Sequence, residues 1–71
     1  MKAINIQDEF VTLGQILKMV DLISTGGQAK MFLQDVVVRV NGEHDQRRGR
    51  KCYIGDKVEI EGHDTYTISK N

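Results

Sequence analysis

The chain has 71 residues, ten acidic and ten basic side chains, a single cysteine and no proline or tryptophan. A chain this short holds one core and leaves no room for a cleft between domains, so residues 1–71 are expected to form one small domain. A lone cysteine forms no internal disulfide, no Cys/His spacing suits zinc, and no stretch nears the roughly 20 apolar residues of a membrane span, which together exclude a disulfide scaffold, a zinc finger and a membrane helix.

The expected compartment is therefore reducing, the cytoplasm, with no membrane partner and no cofactor. Met1 to Glu9 has acidic residues at Asp8 and Glu9 and no apolar run, unlike a signal peptide. Formal charge is zero but unevenly spread: residues 1–38 carry −1, residues 39–51 carry +3 and residues 52–71 carry −2. A local basic patch says more about partners than the total does.

In chain order, Ala3 to Ile6 alternates weakly and predicts a short edge strand. Thr12 and Gln15 form a T-x-x-Q capping box, and Leu13, Ile16, Leu17 and Val20 follow at i, i+3, i+4 and i+7, the apolar face of a first helix. Lys18 lies on its other side and shares a flank with Gly14 one turn earlier. Ser24 to Lys30 repeats the box with Thr25 and Gln28, which predicts a second helix starting near Gly26. Its apolar face is Ala29, Phe32, Leu33 and Val36, with Lys30 and Gln34 on a polar flank.

Val36 to Val40 is β-branched and predicts a strand, and Asn41-Gly42 is the strongest hairpin signal in the chain, since both residues tolerate the positive φ of a type I′ turn. Glu43 to Lys51 has no apolar residue and reads as an edge strand or a long exposed loop. Beyond a Gly55-Asp56 turn, Val58 and Ile60 alternate with charged residues, Gly62 turns the chain, and Tyr66 and Ile68 alternate in a last strand paired with the previous one. The expected fold class is α+β, two short helices packed on one face of a small antiparallel sheet.

Two stretches carry chemistry. Gly26 and Gly27, in the first turn of the second helix, would let a phosphate reach unpaired N–H groups; the plainer reading is a loop between helices. Arg47-Arg48-Gly49-Arg50-Lys51 is either a solvated edge that blocks strand aggregation or, with Lys18 and Lys30, a phosphate-binding surface, because Arg forks suit phosphate and Gly49 lets the loop bend. Tyr53 just beyond suits stacking on an unpaired base or packing in the core. Cys52 reads as a small core hydrophobe, His44 and His63 sit in turns, and Glu59 and Glu61 lie on the outward face of a strand. No metal site, nucleophile or acid/base pair emerges, so an enzyme is the least favoured class.

Leu13 to Leu17, Ser24 to Lys30, Leu33, Val38 with Val40-Asn41-Gly42, and Gly55-Asp56-Lys57-Val58 appear in the order in which the chain resembles the S-four RNA-binding domain family. Thr12-Leu13-Gly14-Gln15, the Ser24 to Lys30 run and Arg47 to Lys51 resemble its stand-alone bacterial YaaA/YbcJ-like members. The resemblance implies binding to structured RNA, such as ribosomal RNA, by a surface that joins the two helices to the loop after the Asn-Gly turn; the chain is expected to be a monomer, with ribosomal or assembly proteins as further partners. The binding residues it implies are Lys18, Lys30, Arg47, Arg48 and Lys51, with Gly26 and Gly27 at the helix start, and Gln28 and Arg50 beside them complete the expected site. Two positions depart from the family pattern: Gly26 stands where many members have Arg, and Val36 or Val37 where many have Gly. Two other classes stay open at this point, a helix-turn-helix reading a DNA major groove and a protein-interaction module using the acidic tail. Against the first, the start of the second helix offers almost no base-reading side chain except Gln28.

Overall fold

The computed structural model describes residues 1–71, and its inward side chains come from two helices and two sheets. The strands are β1 (Lys2–Ile6), β2 (Phe10–Thr12), β3 (Val38–Val40), β4 (Glu43–His44), β5 (Lys51–Tyr53), β6 (Lys57–Ile60) and β7 (Thr65–Lys70). The helices are α1 (Leu13–Met19) and α2 (Ala29–Asp35), the latter preceded by a 3₁₀ turn at Gly26–Gln28. The larger sheet has the order β1-β7-β6-β3-β4, and β2 and β5 form a separate two-stranded ribbon.

The α+β class is as expected, with one refinement: β1 pairs parallel to β7, so the sheet is mixed rather than wholly antiparallel. Period-two alternation tells which face a strand buries but not the direction of its partner, and β1 meets β7 from the far end of the chain. Leu13, Ile16 and Leu17 of α1, Ala29 and Leu33 of α2, and Val38, Val40, Val58, Ile60 and Ile68 of the sheet fill one core with Cys52. Phe32 and Val36, placed on the same face of α2, are only half-buried at its margin. On the opposite face of the sheet, Arg39 reaches Glu59 at 3.5 Å and Glu61 at 3.4 Å, which makes those glutamates partners of a structural ion pair.

Local signals explain the boundaries. In α1, Gln15 N–H donates to Thr12 Oγ1 at 3.3 Å and Thr12 N–H donates back to Gln15 Oε1 at 2.9 Å. The helix ends in a Schellman pattern, with Leu22 N–H bonded to Leu17 O and Asp21 N–H to Lys18 O, and with Asp21 left-handed at φ 61°. β3 begins at Val38, two residues later than the β-branched run predicts, because Val36 N–H still donates to Phe32 O at 2.8 Å and closes α2. The Asn41-Gly42 turn has φ of 53° and 86°, as a type I′ hairpin requires. Asn41 does more than turn the chain: its Nδ2 donates to Asp56 at 3.1 Å and its Oδ1 accepts from Lys57 N–H at 2.9 Å, tying the β3–β4 turn to the one before β6.

Candidate nucleic-acid interface

The basic run Arg47 to Lys51 is not a loose edge, and the reason is Asp45. This carboxylate is only 8% exposed, the one charged residue of the chain that is buried. Arg47 holds it through Nε and Nη2 at 3.1 and 2.8 Å, Arg47 N–H donates to the same group at 2.9 Å, and Arg50 Nη1 donates at 2.8 Å. The hydrogen bonds from Arg47 keep the Asp45 carboxyl well below the usual carboxylate range, against the opposing effect of its burial. The loop thus wraps its own anion. Sequence reasoning missed Asp45, although an Asp-x-Arg-x-x-Arg spacing is the pattern such a wrap leaves.

A wrapped loop can be fastened elsewhere. Leu13 N–H donates to Arg50 O at 3.0 Å and Gly14 N–H to Arg48 O at 2.9 Å, so the loop carbonyls satisfy the unpaired first-turn donors of α1. Gln46 Nε2 donates to Leu33 O at 3.3 Å and secures the loop to α2. The close approach needs Gly14: a Cβ there would lie 3.3 Å from Arg48 O and 3.7 Å from Ala29 Cβ. The conformation of the basic loop is therefore set jointly by Asp45 and both helices.

The nine residues expected at the site divide into groups. Lys18, Gly26 and Arg48 share a shallow cleft of about 300 Å³ with Thr12, Gly14, Gln15 and Gly49, and no apolar residue lines it. Arg47, Arg50 and Lys51 line a second depression with Gly49 and Tyr53, adjoining the first at Gly49. Gly27 and Gln28 lie instead in a groove of mixed character with Met31 and Phe32, and Lys30 stands exposed on α2 outside all three hollows. The helix at this point begins as a 3₁₀ turn: Gln28 N–H bonds to Thr25 O at 3.1 Å and Ala29 N–H to Gly26 O. Gln28 Oε1 accepts from Ser24 N–H at 2.6 Å and Thr25 N–H at 3.1 Å, so its side chain is occupied in capping.

The cations also differ in their commitments. Arg47 and Arg50 are paired to Asp45, though Arg47 keeps most of its side chain in solvent. Lys51 Nζ stands 4.9 Å from the centroid of the Phe10 ring. Lys18, Lys30 and Arg48 are in no ion pair. Cys52 is fully buried, and burial pushes its thiol up to about 11, so it is no nucleophile. No group of three His, Cys, Asp or Glu side chains is arranged to hold a metal ion, and no helix is long and apolar enough to cross a membrane.

Two comparisons bear on this arrangement. The chain is 54% identical over 65 residues to the probable ribosome maturation protein RlbA of Bacillus subtilis (strain 168), an alignment that covers 92% of each chain. The family model described as S4 domain, the S-four family, matches residues 4–69. That match takes in both helices, the wrapped basic loop between β4 and β5 and all but the outermost residues of the sheet, and the chain belongs to the S4 domain family.

Proposed function

We propose that this protein binds structured RNA, ribosomal RNA in particular, through the surface that joins α1, the start of α2 and the loop 45–51. The observation that carries the reading is the polar cleft in which Lys18 and Arg48, both free of carboxylate partners, flank Gly26 while Asp45 holds the loop in place. Arg48 and Lys18 seat phosphates in the cleft, and Gly26, with no side chain, leaves its backbone N–H open to one. Arg47, Arg50 and Lys51 extend the field along the strand. Lys30 adds charge from α2, while Gly27 and Gln28 act by shaping the turn. The B. subtilis relative, named for ribosome maturation, supports a ribosomal target, which the protein would meet in the cytoplasm as a monomer without a cofactor and without catalysing a reaction.

Helix-turn-helix binding to DNA has less support. A recognition helix needs side chains near its start that reach base edges, yet Gly26 and Gly27 have none, Gln28 is occupied with Ser24 and Thr25, and Ala29 is fully buried. The deciding experiment titrates ribosomal RNA fragments and matched DNA duplexes at several salt concentrations. Preferred RNA binding is expected, with log K falling against log salt by about 0.9 per neutralised phosphate on a duplex and about 0.7 on a single strand. Equal affinity for DNA would favour the major-groove reading, and no binding to either at low salt would favour a protein-interaction module.

A further inference from the structure

The β2–β5 ribbon has an outer face that the core does not use. On β5, Cys52 is fully buried and its neighbours Lys51 and Tyr53 point outward; on β2, Val11 is buried between Phe10 and Thr12. The register sets Phe10 opposite Tyr53, with ring centroids 5.8 Å apart and planes tilted by 53°. Lys51 projects over the Phe10 ring. A cross-strand aromatic pair stabilises a ribbon, but that does not account for a tyrosine left 48% exposed beside Arg47, Arg50 and Lys51. Nor does its phenol oxygen make any hydrogen bond within the protein.

The backbone beneath the ring is fixed. Tyr53 N–H donates to Asp56 Oδ2 at 2.8 Å, Asp56 N–H donates to Tyr53 O at 2.9 Å, and the other oxygen of Asp56 is held by Asn41. A flat apolar face on a rigid support, with cations on one side, matches the two halves of a nucleotide, a base and its phosphate. Bases inside a continuous helix are stacked on each other and offer no free face, so only an unpaired one fits. We infer that Tyr53, backed by Phe10, is a stacking platform for one unpaired base of the bound RNA, with Lys51, Arg47 and Arg50 facing its flanking phosphates. The preferred target is then a helix interrupted by a bulge, loop or end. This rests on the RNA-binding reading above.

The test uses two RNA hairpins of the same stem, one with a fluorescent adenine analogue as a single-nucleotide bulge and one with the analogue fully paired. Wild type is expected to bind the bulged hairpin about tenfold more tightly, or more, and to quench the analogue on binding. Tyr53→Phe should keep the preference and the quenching. Tyr53→Leu retains apolar cover on the ribbon but has no π face, and should lose both while keeping salt-dependent binding of each hairpin. Equal affinity of wild type for the two hairpins overturns the stacking platform and leaves the RNA-binding reading standing, as does a Tyr53→Leu protein that still prefers and quenches the bulge. Binding of neither hairpin at low salt overturns both.

Discussion

At Asp45 two electrostatic expectations have opposite signs. Removing its charge raises the net charge by one and releases Arg47 and Arg50 from their ion pairs, which on charge alone should strengthen binding to a polyanion. If instead the carboxylate positions the loop, Asp45→Asn should weaken RNA binding despite the extra charge, because Arg48 loses its fixed place over the cleft. The same substitution should lower stability by roughly 1–3 kcal/mol, since it weakens charge-assisted hydrogen bonds to a buried group. The pH dependence has a definite sign. A carboxyl depressed in the fold adds stability above its unfolded value of about 3.9 and loses it as pH falls below. The stability gap between wild type and Asp45→Asn should therefore be widest near neutrality and close as the buffer is acidified below about pH 4, which denaturant titrations at stepped pH would reveal. Arg48→Ala, by contrast, should weaken RNA binding while moving stability by no more than about 0.5 kcal/mol, and Lys30→Ala, outside the cleft, should weaken it less. Comparable losses for the two would mean that the bound RNA extends across α2.

Among the elements, the helix ends respond most clearly to substitution. Asp21 sits left-handed at the Schellman position that glycine prefers, so Asp21→Gly should raise stability by about 0.5–1 kcal/mol in a thermal or urea melt. Gly27 has no positive φ, and a Cβ there would meet only Thr25 Oγ1 at 3.9 Å, so Gly27→Ala should stabilise by roughly 0.4–1 kcal/mol. Because Gly27 faces the groove away from the cleft, RNA affinity should stay unchanged; the glycine whose methyl would enter the cleft is Gly26. Core substitutions rank by burial along each helix. Leu17→Ala, at a fully buried position of α1, should cost about 2–5 kcal/mol, whereas Phe32→Ala should cost less than its size implies, since the ring is half-buried at the margin beside His63. A larger loss for Phe32 would show that it closes the core.

Over the whole molecule the net charge is zero, but some cations are paired with carboxylates and others are not. Glu59 and Glu61 neutralise Arg39 on the outer sheet face, and Asp64 meets Lys2 at 2.9 Å. Lys18 and Arg48 are left unopposed in the cleft, so RNA affinity should fall steeply with salt even though the protein is neutral as a whole. Cys52 offers a reporter of global opening: it is fully buried with its thiol pushed up to about 11, so a thiol reagent at neutral pH should label it only through unfolding. The unfolded chain releases that proton first, so stability should decline as pH rises from about 8.5 toward 11. Rapid labelling of the folded protein at neutral pH would contradict the burial.

What the sequence determined by itself was whatever depends on neighbours along the chain. The Thr12-Gln15 box, the apolar spacing of α1, the Asn41-Gly42 turn and the alternation around Val58 and Ile68 each act over a few residues, and each appears in the fold where those residues predict it. The basic loop was visible as composition, but its shape was not. Its carbonyl bonds to Leu13 and Gly14 and its anchor on Leu33 join segments far apart in the chain, whereas its carboxylate partner Asp45 lies within the loop itself. The tertiary structure alone decided the parallel partner of β1, the β2–β5 ribbon that sets Phe10 against Tyr53, and the division of eight of the nine expected residues among separate hollows, with Lys30 outside them. Local propensity and periodicity report which face of an element is buried, whereas a site made of several elements is fixed only when their packing brings distant side chains within hydrogen-bonding range.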